Sequence, residues 1–481
     1  MEKTICENCG NEIESIDSLV CPKCGYKRSN IEIESDNEID AVIDSIIDDV
    51  LENRNSKIIN KNEEQKMVSI DSLDSILYRN NEKCLNCGQC KKICENKVNI
   101  SYDLNKCKKP ICIECGQCVI NCPSGALYVK EDYKEVKEIM DANEKLVVAI
   151  VSPEVKLMMN NLFGKGENIE YKFVEALKKS GFDYIFDGSF GCDLYIKELV
   201  GELVHKINNR RELPIFSSSC PSWIKYAEIY HPEILENIST CKDSLVMHCE
   251  AIKKYFSNEK GFDREKIVTV GITTCTAKKM ESKEYDSLDY VLSDKEIIKL
   301  FEDLEIKIDS LNEKEYDKLL SEGSIESSLF SFSGGETYST IKELYKIMAN
   351  TYYDNKLIFD SLDNNDIKEV KIPVGNYEIR ILVVNKMKNL EKVLDSDYYK
   401  KFHYIEVMNC NDGCVGSRIE LDDLKTKKQL IDTFKEKKSN NVNEELDKLY
   451  KVLLIKPFSE ESRNLLHTNY SDKSSQLNNK K

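Results

Sequence analysis

The chain contains the stretch Cys84-Leu-Asn-Cys87-Gly-Gln-Cys90-Lys-Lys-Ile-Cys94 and repeats its spacing in Cys112-Ile-Glu-Cys115-Gly-Gln-Cys118-Val-Ile-Asn-Cys122. Each run separates its cysteines by two, two and three residues, and only the second is followed by a proline. In this pattern three thiolates bind one cubane and the fourth crosses to a second cluster. The pattern assigns one 4Fe-4S cluster to Cys84, Cys87, Cys90 and Cys122, and the other to Cys94, Cys112, Cys115 and Cys118. Zinc binding by the same thiolates is the alternative, but the doubled rhythm favours electron-carrying iron-sulfur clusters.

Four more cysteines form two close pairs near the start of the chain. They are Cys6, Cys9, Cys21 and Cys24, and a glycine directly follows each pair. Two such turns bring four thiolates into the tetrahedral geometry that suits zinc. We predict a zinc ribbon over residues 1–26, with a further iron site as the alternative. Because four thiolates leave no open coordination position, this site is expected to serve as a scaffold or docking surface.

Residues 27–77 are rich in Asp, Glu, Asn, Ser and Lys, which predicts a flexible acidic linker. Apolar residues at helical spacing between Ile39 and Leu51 predict one amphipathic helix inside it. The end of the chain, residues 471–481, has a polar composition that predicts disorder.

The whole chain has 481 residues and a net charge of −16, from 69 Lys and Arg against 85 Asp and Glu. Its length predicts two or more domains. The acidic balance argues against binding to nucleic acid or to an anionic membrane, because both reward clustered basic residues. No apolar run approaches the roughly 18 residues that a bilayer helix needs. The clustered cysteines indicate metal binding rather than a secreted disulfide framework, so we expect a cytoplasmic protein.

Between about residues 145 and 470, short β-rich runs alternate with helical stretches, which predicts an α/β domain. Six strands are predicted, at Leu146–Val151, Tyr184–Asp187, Pro214–Ser217, Val268–Ile272, Arg380–Val384 and Tyr404–Met408. The predicted helices between them include Lys172–Ser180, Asp193–Asn208 and Asp294–Phe301.

Four isolated cysteines follow the ends of these strands: Cys220, Cys275, Cys410 and Cys414. Ligands bind at the carboxyl ends of strands in α/β sheets, so three loops are expected to bring four thiolates to one metal centre. Spacing alone leaves open that these cysteines are inert core residues. No role is assigned to the remaining thiols, Cys107, Cys192, Cys241 and Cys249.

The residues around these four cysteines resemble the three signature motifs of the iron-only (FeFe) hydrogenases, in the same order. The motifs are Ser217-Ser-Ser-Cys220-Pro-Ser-Trp223, Thr273-Thr-Cys275-Thr-Ala-Lys278-Lys-Met-Glu281 and Glu406-Val-Met408-Asn-Cys410-Asn-Asp-Gly413-Cys414. Further similarity lies in Phe186-Asp-Gly-Ser-Phe-Gly191, Ser333-Gly-Gly335 and Leu465-Leu-His-Thr-Asn-Tyr470. The resemblance covers about residues 146–470 and implies an α/β hydrogenase-like catalytic domain. Members often carry a small α+β ferredoxin module of bacterial type, which is expected here over residues 78–135.

The resemblance implies an H-cluster, a 4Fe-4S cubane joined through one cysteine to a diiron unit with carbonyl, cyanide and dithiolate ligands. The cubane ligands matched by the motifs are Cys220, Cys275, Cys410 and Cys414, with Cys414 as the bridge to the diiron unit. Lys278 matches the lysine that hydrogen-bonds a cyanide ligand, and Met408 matches the methionine near the diiron unit. Thiolates suit soft iron, and a cationic donor stabilises an anionic ligand in a dry pocket.

Several positions depart from the family along its proton route. Ser219 stands where the family has a cysteine that passes protons to the diiron bridge, and a hydroxyl is a much poorer acid than a thiol of pKa ~8.5. Glu202 and Ser239 match their counterparts in the route, whereas Leu199 replaces a glutamate and cannot carry a proton. Around the cofactor, Thr273-Thr274 replaces Met-Pro, and the glycine-rich stretch after the last cysteine is missing.

These departures predict a divergent member that exchanges electrons between an H-cluster and two 4Fe-4S clusters. We expect a ferredoxin hydrogenase-like oxidoreductase of low activity on hydrogen and protons, with a role in sensing hydrogen or redox state. A ferredoxin or another redox protein is the expected electron partner, and the zinc ribbon is the expected docking site for a signalling partner. Two alternatives stay open: a conventional ferredoxin-dependent hydrogenase with a different proton path, and a non-catalytic iron-sulfur carrier or assembly protein.

Overall fold

The computed structural model describes residues 4–5, 12–13, 68–70, 75–102, 110–164, 168–321, 323–353, 360–363, 366–375, 377–417 and 443–478. The chain divides into two compact units, Met1–Gln65 and Lys66–Lys481. In the first unit, strand β1 (Thr4–Ile5) pairs antiparallel with strand β2 (Glu12–Ile13). Outside the described residues lie the predicted amphipathic helix, Cys107 and the four cysteines of the predicted zinc ribbon, Cys6, Cys9, Cys21 and Cys24.

The second unit alternates strands and helices along most of its described length. The strands are β3 (Leu77–Arg79), β4 (Leu127–Val129), β5 (Leu146–Val151), β6 (Tyr184–Asp187), β7 (Ile215–Phe216), β8 (Ile267–Thr273), β9 (Tyr290–Ser293), β10 (Asp360–Asp363), β11 (Ile367–Val374), β12 (Tyr377–Asn385) and β13 (Tyr404–Met408). The α-helices are α1 (Gln89–Ile93), α2 (Gln117–Ile120), α3 (Tyr133–Ala142), α4 (Pro153–Phe163), α5 (Glu170–Lys179), α6 (Ser189–Asn208), α7 (Pro221–Tyr230), α8 (Ser244–Ala251), α9 (Ser257–Lys260), α10 (Lys278–Glu284), α11 (Asp294–Asp303), α12 (Ile325–Ser328), α13 (Gly335–Leu344), α14 (Met387–Asp395), α15 (Glu444–Leu449) and α16 (Glu460–Leu466). Among the described helices, none combines the length and apolar character that crossing a membrane requires.

A parallel sheet of four strands, in the order β6-β5-β8-β9, forms the first layer. Strands β5 and β8 read as nearly continuous apolar runs, as expected when both faces of a parallel sheet are covered. Successive side chains of a strand point to opposite faces. In β5, Val148 and Ile150 therefore pack in one hydrophobic core, and Val147, Ala149 and Val151 pack in the other.

A mixed sheet of five strands, in the order β10-β11-β12-β13-β7, forms the second layer. Strands β10, β11 and β12 are antiparallel neighbours, whereas β12, β13 and β7 run parallel. All six predicted strands are present, with bounds that shift by a few residues at most. The α/β architecture predicted from the sequence is therefore confirmed. Strands β9, β10 and β11 had no counterpart in the prediction.

A small segment with β3 paired antiparallel to β4 precedes the first layer and carries the doubled cysteine runs. Its core contains Val68, Ile70, Ile76 and Leu77, which pack around Cys118. These four apolar residues fall in the predicted linker, so residues 68–70 and 75–77 differ from that prediction because they bury apolar side chains in this core.

The end of the chain also differs from the prediction of disorder. Residues 474–478 form a short 3-10 helix, and Lys473 pairs with the buried Glu228 of α7 at 2.6 Å. The backbone N–H of Lys473 also donates to the carbonyl oxygen of Glu228 at 2.8 Å. These contacts attach residues 471–478 to the helix that follows Cys220.

Gly116 sets how closely the cysteine-rich segment approaches the α/β layers. It has a φ of 73°, and a Cβ built on it lies 2.5 Å from the hydroxyl oxygen of Thr276. A side chain at this position faces both an unfavourable backbone conformation and a collision. Glycine therefore allows the loop that carries Cys115 to lie against the loop that carries Cys275.

We predict that Gly116→Ala lowers the free energy of unfolding by about 1–3 kcal/mol more than Gly125→Ala does. Gly125 is the matched control because it also has a positive φ, 61°, but no atom lies within 4 Å of its built Cβ. Anaerobic chemical unfolding of both variants measures the difference. Equal losses contradict the close-packing role of Gly116.

Candidate active site and cluster sites

Three loops, each following a parallel strand, bring four predicted ligands together. They are Cys220 after β7, Cys275 after β8, and Cys410 and Cys414 after β13. Burial raises the pKa of Cys410 and Cys414 well above its usual value, and the charges of Cys275 and Cys220 raise it further. Such mutual influence requires the four thiols to lie close to one another. Because β8 belongs to one sheet and β7 and β13 to the other, the four thiols lie where the two layers meet.

The local sequence explains how two of these loops turn. Cys220 precedes α7, whose first residue is Pro221, a favoured position because the first N–H groups of a helix have no partner within it. Gly413 has a φ of 86°, and a Cβ there lies 2.5 Å from the carbonyl oxygen of Ser331. Glycine therefore lets the loop between Cys410 and Cys414 pass directly against the segment 331–333.

A small cavity lies beside these thiols. Its lining includes five residues singled out from the sequence, Ser219, Cys220, Lys278, Met408 and Cys414. Apolar surface from Ile150, Leu245 and Phe330 completes part of the wall. The structure thus places Lys278, Met408, Cys220 and Cys414 around one cavity.

The cation in the cavity wall is held by a carboxylate that the sequence analysis missed. Lys278 donates to Asp243 Oδ1, and both side chains are buried. Burial alone lowers the pKa of Lys278, but the charges of Asp243 and Glu281 raise it well above its usual value. The ammonium therefore stays charged inside the protein. Asp243 also accepts from the N–H of Leu245, so it caps helix α8. An aspartate directly before an apolar run at helical spacing is typical of a helix N-cap, and this pattern could have identified Asp243 in the sequence.

A second carboxylate of the cavity wall, Glu154, joins three segments. It accepts from the hydroxyl of Thr273 at 2.6 Å and from the hydroxyl of Ser331 at 2.8 Å. Glu154 stands in the first turn of α4, directly after β5. Thr273, one of the departures from the family motif, therefore has a structural partner here.

In the cysteine-rich segment, one predicted set of four ligands lines a single cavity. Cys94, Cys112, Cys115 and Cys118 line it together with apolar residues that include Val98, Ile100 and Ile113. The predicted crossing of Cys94 from the first run to the second therefore fits the structure. The other predicted set is Cys84, Cys87, Cys90 and Cys122, of which Cys87 is exposed. The charge of Cys90 contributes to the raised pKa of Cys118, after the larger effects of burial and of the charges of Cys112, Cys115 and Cys94.

The thiols of the cysteine-rich segment lie next to the thiols between the two sheets. The amide of Gln117 donates to Cys410 Sγ at 3.7 Å. Burial raises the pKa of Cys115 to about 11, with a further contribution from the charge of Cys220. The site formed by Cys94, Cys112, Cys115 and Cys118 is therefore the neighbour of the four-thiol site between the sheets.

Ser219 has a partner that the sequence analysis did not identify. Its hydroxyl donates to Glu336 Oε2 at 2.6 Å, and Tyr404 donates to Oε1 of the same carboxyl group. Glu336 is fully buried, and burial together with the charge of Glu406 raises its pKa to about 8. Glu336 directly follows the Ser333-Gly-Gly335 motif. Its position next to this motif was the sequence signal that could have identified it.

The other predicted proton-route residues lie away from the cavity lining. Ser239 donates to Glu202 Oε2 at 2.8 Å, and both are buried. Leu199, where the family has a glutamate, is fully buried in the hydrophobic core. The structure therefore brings Glu202 and Ser239 together but leaves an apolar residue where the route continues in the family.

The profile of the family "Iron only hydrogenase large subunit, C-terminal domain" matches residues 145–417, more than half of the chain. The chain belongs to the iron-only hydrogenase family. A second profile, "Iron hydrogenase small subunit", matches residues 428–473, and a "4Fe-4S binding domain" profile matches residues 81–97 and 110–129.

The relatives that this chain resembles include proteins named as hydrogenases and proteins named as iron-sulfur assembly components. "Iron hydrogenase 1" of Clostridium pasteurianum is 30% identical over 83% of this chain and 77% of its own length. "Cytosolic iron-sulfur assembly component 3" of Mus musculus is 26% identical over 78% of this chain and 86% of its own length. A solved structure of an apo variant of [FeFe]-hydrogenase HydA1 from Chlamydomonas reinhardtii shares the fold, with a TM-score of 0.62, 23% identity, and coverage of 71% of this chain and 99% of that one.

The donor sets of this hydrogenase-family chain fit the iron-sulfur groups that the family implies. Burial raises the pKa of Cys275 to about 12 and that of Cys112 to about 12 as well, so these thiols need a cation nearby to ionise. Soft iron supplies that cation and prefers thiolate ligands. Both four-thiol sites border a cavity.

We predict that Asp243→Asn lowers the free energy of unfolding by about 3–5 kcal/mol, because it leaves the Lys278 ammonium buried without its carboxylate. Asparagine still caps a helix, so the loss reports on the ion pair. The matched control is Asp141→Asn, which removes the partner of Lys137 in an exposed pair at 2.7 Å and is expected to have no measurable effect. Equal unfolding midpoints for the two variants contradict a charged pair in the cavity wall.

Proposed function

We propose that the protein holds an H-cluster in the cavity between the two sheets and exchanges electrons between it and two 4Fe-4S clusters. Its reaction is slow hydrogen oxidation and proton reduction. The observation that carries this proposal is the shared cavity wall of Cys220, Cys414, Lys278 and Met408. The hydrogen bond from Gln117 to Cys410 supports the link to the cysteine-rich segment.

The residues of the cavity have distinct tasks in this proposal. Cys220, Cys275, Cys410 and Cys414 hold the cubane, and Cys414 extends to the diiron unit. When bound, the H-cluster supplies the electrons and the metal site at which protons and hydrogen interconvert. Lys278 offers its remaining N–H bonds to anionic ligands, and Asp243 keeps its charge in place. Apolar neighbours such as Phe330 exclude water, which strengthens these charge interactions.

The cysteine-rich segment serves as an electron path in the same proposal. The cluster on Cys94, Cys112, Cys115 and Cys118 is the one next to the H-cluster cubane. The cluster on Cys84, Cys87, Cys90 and Cys122 receives electrons from a ferredoxin or another redox protein. The exposure of Cys87 supports this order, because the electron partner needs surface access.

Slow turnover and a sensing role follow from the proton route. Ser219 offers a hydroxyl in place of a thiol, and Leu199 interrupts the route with a side chain that has no proton to give. A protein that binds hydrogen but turns it over slowly suits detection better than metabolism.

We predict that anaerobic maturation produces infrared bands of carbonyl and cyanide and a low rate of hydrogen evolution from reduced methyl viologen. Ser219→Cys is expected to raise that rate by about 10²-fold, because a thiol is the better proton donor near neutral pH. The control is Ser222→Cys, which adds a thiol on α7 outside the cavity lining. High activity in the unmodified protein, or no gain with Ser219→Cys, contradicts the slow-relay explanation.

An iron-sulfur carrier or assembly protein is the second candidate function. It is favoured by the similarity to the assembly component of Mus musculus. In that case the cubanes form, but carbonyl and cyanide bands are absent after maturation. The same infrared experiment therefore separates the two candidates.

We also propose that Cys6, Cys9, Cys21 and Cys24 bind zinc and that this ribbon docks a signalling partner. Replacing all four by serine in the full chain is expected to reduce bound zinc to background and to leave iron content unchanged, because the iron ligands are other cysteines. Metal analysis of the anaerobically purified proteins measures both. Loss of iron instead of zinc shows that this site belongs to the iron-sulfur system.

A further inference from the structure

Three side chains of metal-binding types meet just after helix α16. Cys241 Sγ, a carboxylate oxygen of Glu202 and a ring nitrogen of His467 all lie within 4.8 Å of one another. We propose that these three side chains form a binding site for zinc or a similar divalent cation, which fastens the segment after α16 to helix α6. The site is separate from the iron-sulfur sites and from the predicted zinc ribbon, because it uses none of their cysteines.

The backbone holds two of the three donors opposite each other. Cys241 and His467 form an isolated antiparallel β-bridge. One backbone hydrogen bond of 2.9 Å and another of 2.7 Å join the two segments on either side of this bridge. The thiol and the imidazole therefore stay close to each other without a bound metal.

Glu202 comes from helix α6 and brings a buried negative charge to the same place. Its residue is 2% exposed. Its Oε2 accepts from the hydroxyl of Ser239 at 2.8 Å and from the N–H of Thr240 at 3.1 Å. Both donors are neutral, so they solvate the carboxylate without cancelling its charge. Because burying a charge is costly unless an opposite charge accompanies it, a cation between Glu202 and Cys241 is favoured.

The imidazole of His467 is oriented by a second carboxylate. Its Nε2 lies 3.0 Å from Glu198 Oε2. Glu198 also accepts from the hydroxyl of Tyr450 at 2.6 Å and from the N–H of Phe458 at 2.8 Å, so it acts as an acceptor and Nε2 carries the proton. The other ring nitrogen, Nδ1, faces the hydroxyl of Thr240 at 2.7 Å and has the electron pair that a metal needs. Metal-binding histidines commonly donate their second N–H to a carboxylate in this way.

The chemistry of the donors indicates which cation they take. Zinc binds thiolate, imidazole and carboxylate together, whereas magnesium and calcium take oxygen ligands. Ligand atoms around a tetrahedral zinc ion lie roughly 3.3–3.6 Å apart, so the three donors need to close up by only about 1 Å. Three protein ligands leave the fourth position to a water molecule.

Metal binding at this site exchanges a proton for the cation. The S–H bond of Cys241 breaks, a sulfur–metal bond forms, and the proton passes to the solvent without any transfer of electrons. Burial raises the pKa of this thiol well above its usual value, so the proton competes strongly with the metal. Binding is therefore reversible, it weakens as the pH falls, and the site fills from added metal.

The first test adds zinc to the anaerobically purified full chain with its clusters in place, in excess magnesium so that sites made only of oxygen ligands are occupied. Calorimetry is expected to show about one equivalent of zinc beyond the zinc already present. Comparing buffers with different heats of ionisation is expected to show release of about one proton per zinc. Cys241→Ser keeps a hydroxyl but no thiolate, and it is expected to weaken binding about 10²-fold.

The matched control is Cys249→Ala, because Cys249 is an equally buried thiol that hydrogen-bonds Thr269 instead. It is expected to bind zinc as the unmodified protein does. Glu202→Gln supplies a second variant and is expected to weaken binding at least about ten-fold, whereas Glu228→Gln, at a buried carboxylate paired with Lys473, leaves it unchanged. Zinc affinity that survives both Cys241→Ser and Glu202→Gln overturns the proposal.

The second test locates the bound zinc. Zinc is expected to slow amide hydrogen exchange across residues 465–470 at least about ten-fold in the unmodified protein and in Cys249→Ala, but not in Cys241→Ser. The variant with serine at all four ribbon cysteines is expected to take up the same additional equivalent. Equal slowing in Cys241→Ser, or loss of the additional equivalent in the ribbon variant, places the added zinc elsewhere and overturns the site.

Discussion

The structure depends on the meeting of four thiols that come from two different sheets. Like charges at short range repel, and burial makes each thiolate more costly. The protein brings these groups together because strands β7, β8 and β13 end at one place and each ends in a cysteine-bearing loop. The rest of the fold serves this convergence: the parallel strands fix where the loops start, and the surrounding helices bury the strands. A bound metal core would replace the repulsion between the thiolates with metal–thiolate bonds.

Close packing links this centre to the cysteine-rich segment. Gly116 and Gly413 are two of the described glycines at which a backbone passes so near to another segment that a Cβ would collide with it. Gly116 brings Cys115 toward Cys275, and Gly413 holds the last ligand loop against residues 331–333. Of these two glycines, Gly116 thus permits the close approach of the neighbouring thiol sites.

Much of this arrangement could be predicted from the sequence, for physical reasons. The strands that carry the ligands are fully buried in a parallel arrangement, and such strands appear as unbroken apolar runs. Cysteine spacing predicted which thiols share the inner site of the cysteine-rich segment, because one repeat geometry accounts for all eight. Strand β11 was missed because it contains three charged side chains and Pro373, which weaken a strand pattern in the sequence. Asp243, Glu154 and Glu336 were missed because their importance arises only from partners far away in the chain.

Among the described residues, the cavity wall contains two carboxylates, Glu154 and Asp243, and one ammonium, Lys278. Negative charge beside a cluster repels an added electron, so it would lower the reduction potential of an iron-sulfur core bound in this place. The oxidised state of such a core is favoured over the reduced state. The same carboxylates that stabilise the fold around the cavity would therefore also lower the reduction potential of a cluster bound there.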